Sequence, residues 1–170
     1  MPSSFTVRTT RESDWPEVRK IRLEMLADTP IAFSETVQTA AILDEAEWRR
    51  RAGRGEGVRC TTVVAIDDTS GRWIGSMGGF VPDRNTGGPL LVGVWVHPEF
   101  RGRTFAVADV LLDAIEDWAR DRGDSLTLYV HERNAPAMAF YRRRGFTLTG
   151  AAHPYNLDPS CIELEMRHAL

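Results

Sequence analysis

Six consecutive residues, Arg101-Gly102-Arg103-Thr104-Phe105-Ala106, set two guanidiniums, two small residues and a hydroxyl just ahead of an apolar-striped segment. Backbone N–H groups at a helix start lack intrahelical partners, and the helix dipole makes that end attractive to anions. Gly102 and Ala106 let the backbone come close to a ligand, while Arg101 and Arg103 add cationic donors able to grip an oxyanion in two places. The junction therefore reads as a pyrophosphate cradle. Taken alone, it reads first as an ordinary loop carrying solvated arginines. Farther on, Tyr141 supplies a phenol that can give up a proton (pKa near ~10). Its competing role is to pack beside Phe140 on an amphipathic helix.

Elements must hold these groups in place. Phe5–Thr9 alternates as a half-buried strand does. Ser13 can cap a helix with Asp14 in its first turn and Pro16 tolerated there. Trp15, Val18, Ile21, Met25 and Leu26 recur at helical spacing, and the helix should end near Asp28-Thr29-Pro30. Ile31–Ala41 is ambiguous, and Asp44–Ala52 reads as a second helix. Cys60–Ile66 and Trp73–Val81 form a hairpin across the turn Asp67–Gly71. After the loop Pro82–Gly88, Pro89–His97 is almost wholly apolar, as in a strand buried on both faces. Phe105–Arg120 carries Val107, Val110, Leu111, Ile115 and Trp118 on one stripe, an amphipathic helix. Ser125–Val130 is a strand, Ala135–Arg144 a helix, and Phe146–Gly150 and Cys161–Arg167 are strands. The order β-α-α-β-β-β-α-β-α-β-β describes a mixed α/β domain, with residues 1–170 read as one domain and no repeat or linker.

Composition narrows the class. A chain of 170 residues that is 42% hydrophobic with net charge −3 can bury a core and is not disordered. No window holds ~18 consecutive apolar residues, so no membrane helix is expected. The start, Met1-Pro2-Ser3-Ser4-Phe5, lacks the basic-then-apolar pattern of a secretory leader. Two cysteines, Cys60 and Cys161, stand far apart, which argues against a disulfide framework and a zinc site and favours a cytoplasmic setting. Lysine occurs once, at Lys20, among 21 basic residues, a bias read as codon composition. The basic islands at 49–51, 101–103 and 142–144 are too small for a nucleic-acid face and permit a site for a small polyanion.

Val94-Trp95-Val96-His97-Pro98-Glu99-Phe100-Arg101-Gly102, then a helix, then Leu126–Val130, Asn134, Ala137, Phe140-Tyr141 and Gly145-Phe146, resembles the GNAT superfamily of bacterial and other acetyltransferases. The acyl-CoA loop of that family, Arg/Gln-X-X-Gly-X-Gly/Ala, aligns with Arg101–Ala106. The resemblance runs over about residues 5–168 and is strongest over 92–146. It implies a GNAT fold: a mixed central sheet splayed between its fourth and fifth strands and flanked by helices. It implies acetyl-CoA as cosubstrate and no metal. It places the cofactor along Val94, Trp95 and Val96, whose backbone groups would meet the pantetheine arm as a strand would. Arg101, Gly102, Arg103, Thr104, Phe105 and Ala106 would hold the phosphates. Asn134 would bond the pantetheine or cap the following helix. Homodimers are common in the family.

The resemblance also makes Tyr141 the acid that protonates the departing CoA thiolate. Two departures stand out. Thr104 occupies a usual glycine position, where a left-handed φ would cost ~1–2 kcal/mol; with ordinary φ its hydroxyl can instead donate to a phosphate. Leu90 replaces the carboxylate that many members carry on the central strand, and Val92 is also apolar. Deprotonating an ammonium near ~10.4 at pH 7 requires roughly 4–5 kcal/mol. A water chain, Glu35, Glu132 or His97 would have to serve, and each side chain is equally readable as a surface residue.

The family reads its acceptor with the first two helices and with the loops at 82–88 and 153–160. Asp44, Glu45 and Glu47 near that region would favour a cationic amine, or would simply solvate a helix face. Three functions remain open: acetyl transfer to a small-molecule amine, acetyl transfer to a protein or peptide amine, and a non-catalytic acyl-CoA sensor. Amine-dependent turnover of acetyl-CoA separates the first two from the third.

Overall fold

A computed structural model describes residues 4–84 and 87–170. Part of the leader reading (1–3) and of the 82–88 loop (85 and 86) lies outside the described residues. Seven strands form one sheet: β1 (Phe5–Thr9), β2 (Cys60–Asp67), β3 (Trp73–Phe80), β4 (Leu90–Val96), β5 (Ser125–His131), β6 (Thr147–Tyr155) and β7 (Asp158–Ala169). Their spatial order is β1-β2-β3-β4-β5-β7-β6. Every neighbouring pair is antiparallel except β4 and β5.

Among the described residues, five α-helices cover the two faces: α1 (Trp15–Asp28), α2 (Val37–Ala41), α3 (Glu45–Ala52), α4 (Val107–Arg120) and α5 (Ala135–Arg143). Alternation along the strands explains the two cores. Val63, Ala65, Leu126, Leu128 and Val130 turn to the α4–α5 side, where Leu111, Leu112, Ile115 and Ala119 of α4 are fully buried. Val64, Trp73 and Trp95 turn to the other side, against Ile21, Met25 and Leu26 of α1 and Trp48 of α3. Each fully buried leucine or isoleucine contributes about 1.5–3 kcal/mol over an exposed one. Among the described residues, no helix is long and apolar enough to cross a membrane.

Several expectations are corrected. Asp14, not Ser13, occupies the cap position of α1, because residues 12–14 wind into a 3₁₀ turn first. The ambiguous stretch 31–41 contains α2, which Thr36 caps by accepting the Thr39 N–H. Residues 153–160, read as a loop, are the paired ends of β6 and β7, which meet in a tight turn after Tyr155. Their polar residues masked strand character because most of β6 faces solvent. Nor is β4 buried on both faces: Val92 is 40% exposed, since the strand beside it draws away.

Candidate active site

Parallel strands β4 and β5 pair only at Leu90 and Thr127. There the Thr127 N–H donates to the Pro89 carbonyl at 3.1 Å. Beyond this point the two strands diverge into a wedge. A bulge helps to open it. Opposite β3, Ser76 faces Trp95 and Gly78 faces Val92, so Gly93 and Val94 together face Met77. Gly93 has φ +60°, a left-handed value that suits glycine and bends a strand. The His97 N–H turns toward β3, donating to Ile74 O at 2.8 Å. By alternation, the backbone groups of Val94 and Val96 turn toward the wedge. The Val96 carbonyl accepts a hydrogen bond from Arg101 Nε at 2.8 Å.

The loop after β4 makes one short turn, Pro98–Phe100, before α4. Arg101 is a staple here, since its guanidinium also pairs with Asp28 at the end of α1. Trp95 Nε1 donates to the same carboxylate at 2.9 Å. Burial alone would raise the Asp28 pKa, but hydrogen bonds from Thr29, Trp95 and Arg101 outweigh it and hold the carboxyl below its usual range. Gly102 has φ +98°, and Arg103 is exposed with no ion pair among the described residues. Thr104 has no left-handed φ, so the strain considered for it is absent. That strain sits instead at Ala106, φ +54°, whose conformation delays α4 to Val107 rather than Phe105. No side chain caps the start of α4, so its first N–H groups stay available to a ligand. Phe105 packs against Phe100 at 5.5 Å between ring centres.

Across the wedge, Asn134 caps α5, its Oδ1 accepting the Ala137 N–H at 3.4 Å. Tyr141, on the buried face of α5, is 6% exposed and packs on Phe140 and Phe146. Its hydroxyl makes no hydrogen bond among the described residues, and the side chain lines the cleft that the wedge opens. Burial pushes the phenol well above its ordinary pKa, so it keeps its proton at neutral pH. The cleft measures about 1010 Å³, and Val94, Trp95, Val96, Arg101, Gly102, Arg103, Asn134 and Tyr141 all border it. Thr104, Phe105 and Ala106 do not border it; they shape the turn behind it.

The expected proton acceptors do not meet there. Glu35 receives hydrogen bonds from Arg22 at 2.9 Å and from Arg51 at 2.9 and 3.0 Å. Burial pushes its pKa up, but these arginines more than reverse that. Glu132 and His97 lie outside the cleft wall; the Glu132 carboxylate accepts the Ile162 N–H, and His97 accepts the Glu99 N–H. Asp44 caps α3, while Glu45 and Glu47 pair with Arg49, Arg50 and Arg51. What does border the cleft is Glu163 on β7, directly opposite His131 on β5. Burial raises the Glu163 pKa, with His131 and His153 pulling the other way. Its carboxylate has no hydrogen bond or ion pair among the described residues. The strict alternation of Cys161, Glu163 and Glu165 was the available signal, but only the register with β5 aims Glu163 into the site.

The sequence model described as the acetyltransferase (GNAT) family matches residues 18–146. The chain belongs to the GNAT acetyltransferase family. A mycothiol acetyltransferase from Beutenbergia cavernae is 37% identical over 92 residues, covering 54% of this chain and 30% of that protein. The match thus spans less than a third of that relative's length. Two solved structures share the fold. An acetyltransferase of the GNAT family from Streptococcus pneumoniae has a TM-score of 0.80 at 16% identity, covering 98% of this chain and 99% of that one. An N-acetyltransferase from Thermoplasma acidophilum, solved in complex with coenzyme A, has a TM-score of 0.70 at 17% identity, with coverage of 98% and 99%.

The GNAT residues of this chain suit an acyl-CoA in chemical type. Backbone groups without a strand partner can pair with the amides of a pantetheine arm. Gly102, where a Cβ would meet nothing within 4 Å, leaves the loop backbone bare beside an uncapped helix start.

Proposed function

We propose that the protein transfers the acetyl group of acetyl-CoA to the primary amine of a small molecule by direct attack. The observation that carries this reading is the parting of β4 from β5, with the unpartnered Tyr141 hydroxyl beside the opening. Acetyl-CoA supplies an acyl group activated as a thioester. Val94 and Val96 hold the pantetheine arm through their backbones, and a Val94 or Val96 N–H polarises the thioester carbonyl from a fixed position. Gly102, Arg103 and the start of α4 hold the phosphates. Arg101 and Trp95 act mainly by fixing the loop to Asp28.

Glu163 takes the proton the amine must lose, and its raised pKa makes it a better acceptor than an ordinary surface carboxylate. As the C–N bond forms and the C–S bond breaks, Tyr141 gives its proton to the departing sulfur. Burial keeps the phenol in its protonated form, so the O–H is present when the sulfur departs. The reaction takes place in the cytoplasm.

Calorimetric titration with acetyl-CoA, followed by product detection over a panel of amines, tests the proposal. Binding and amine-dependent release of CoA thiol are expected. No binding at millimolar acetyl-CoA overturns it, and thiol release independent of any amine removes the transferase step.

A further inference from the structure

Resting on this transferase reading, we infer that the acceptor is an amine that also carries an oxyanion, a carboxylate above all, and that Arg22 and Arg54 bind that oxyanion. On the acceptor side, the cleft runs into a recess of about 490 Å³. The two spaces share Arg22, Ser34, Arg51 and Arg54. Three guanidiniums thus stand around the passage, and the carboxylate bordering the recess is Glu35.

The donors are unequally spent. Arg51 gives Nη1 and Nη2 to Glu35 and Nε to Glu47. Arg22 gives only Nε to Glu35, so its two terminal nitrogens have no partner among the described residues. The Arg54 guanidinium has no hydrogen bond or ion pair among them; its backbone carbonyl is engaged by the Gly57 N–H. A cation excess with free, planar donors suits a carboxylate, which a guanidinium can grip through two oxygens.

The mounting is rigid. Arg22 lies over the Phe33 ring at 4.8 Å, and Arg51 over Trp48 at 5.1 Å. Thr10, fully buried, donates to the Ala52 carbonyl at 2.7 Å and pins the end of α3 just before Arg54. Glu163 borders the same cleft on the β7 side. An acceptor can therefore offer its amine to Glu163 and its oxyanion to the arginines. Asp44, Glu45 and Glu47, weighed above as favouring a cationic amine or as solvating a helix face, are spent on the α3 cap and on Arg49, Arg50 and Arg51.

The test compares matched amines: amino acids with a free carboxylate, the same amino acids as carboxamides, and aminoalkyl phosphates. Acetylation kinetics and equilibrium binding to the CoA-loaded protein are measured for each pair. The free acid should exceed its amide at least tenfold in kcat/KM or in affinity. Arg54→Gln should cut that acid-to-amide ratio tenfold or more. Arg22→Gln should also cut it, and because the ratio is taken within one variant, loss of folded protein cancels. Aminoalkyl phosphates exceeding the carboxylates would assign the same arginines to a phosphate. If no acid or phosphate outperforms its neutral partner, or if Arg54→Gln leaves the ratio intact, the inference is overturned while acetyl-CoA binding stands. Loss of acetyl-CoA binding in the unaltered protein would instead overturn the transferase reading and this inference together.

Discussion

The two sides of the cleft are built differently. The donor side, from β4 through the start of α4, offers mostly backbone: the Val94 and Val96 groups, the turn at Gly102, the uncapped first turn of α4. The acceptor side offers side chains from four separate elements: Arg22 from α1, Arg51 from α3, Arg54 just beyond it, and Glu163 from β7. A backbone site tolerates varied side chains but demands particular dihedrals. A side-chain site tolerates varied backbone but demands particular residues. The two sides should therefore fail in different ways when altered.

Tyr141 bears the largest single expected loss, because in the proposed mechanism it is the one side chain on which the donor side relies for proton transfer. Tyr141→Phe should lower kcat by ~10²–10⁴, and calorimetry should find acetyl-CoA affinity nearly unchanged. A kcat within twofold of the parent would take the phenol out of the chemistry and leave the donor side purely a backbone site.

The same contrast decided what could be read from the sequence. Most of the proposed donor side lies in two short stretches that follow one another along the chain, so Arg101–Ala106 and Asn134–Phe146 announce it in order. The core helices α1 and α4 were legible for a related reason, since their apolar stripes are local. Glu163 and Arg54 were not. Glu163 is marked only by its alternation with Cys161 and Glu165, Arg54 by no neighbour, and each acquires meaning only when the register of β7 on β5, or the end of α3 on Thr10, is known. The strands at the end of the chain were read, but their extension through 151–160 into a tight hairpin was missed because solvent-facing strands carry weak alternation, and the bulge at Gly93 was missed because an almost wholly apolar run gives no sign of one.

Glu163→Gln should cost about 10²-fold in kcat/KM, a large loss from the acceptor side. The pH profile is the sharper readout. With the carboxyl pKa raised by burial, activity in the parent should climb as pH rises through that elevated value and the base loses its proton. The glutamine variant should lack this limb. The sign for stability is opposite. A carboxyl whose folded pKa is raised favours the folded state below its unfolded pKa, and that contribution disappears as pH rises through the folded value. An unchanged acidic limb in Glu163→Gln would move the base elsewhere and weaken the claim that side chains define this side.

A smaller change probes the donor frame. A Cβ at Gly93 would meet nothing within 4 Å, so Gly93→Ala adds no clash and tests the dihedral alone. Holding alanine at φ +60° costs ~1–2 kcal/mol. In a chain of this size that lowers the melting temperature by about 2–8 °C. Unchanged melting with weakened acetyl-CoA binding would mean that the strand straightened and the wedge narrowed, which would tie the bulge directly to the cosubstrate.

The mirror experiment has the smallest effect and the opposite sign. Ala106 already holds φ +54° without the freedom of glycine, and it sits where the chain turns into α4. Ala106→Gly relieves that strain but gives the unfolded chain more conformations to lose, so the net gain should be ~0.5–1 kcal/mol. Thermal unfolding should rise by about 1–4 °C. The side chain does not border the cleft, so the gain should come without new contacts to any ligand. A fall in melting temperature would show that the methyl group packs well enough to offset its backbone strain. The donor side would then depend on side-chain fit at the one residue where its backbone is most constrained.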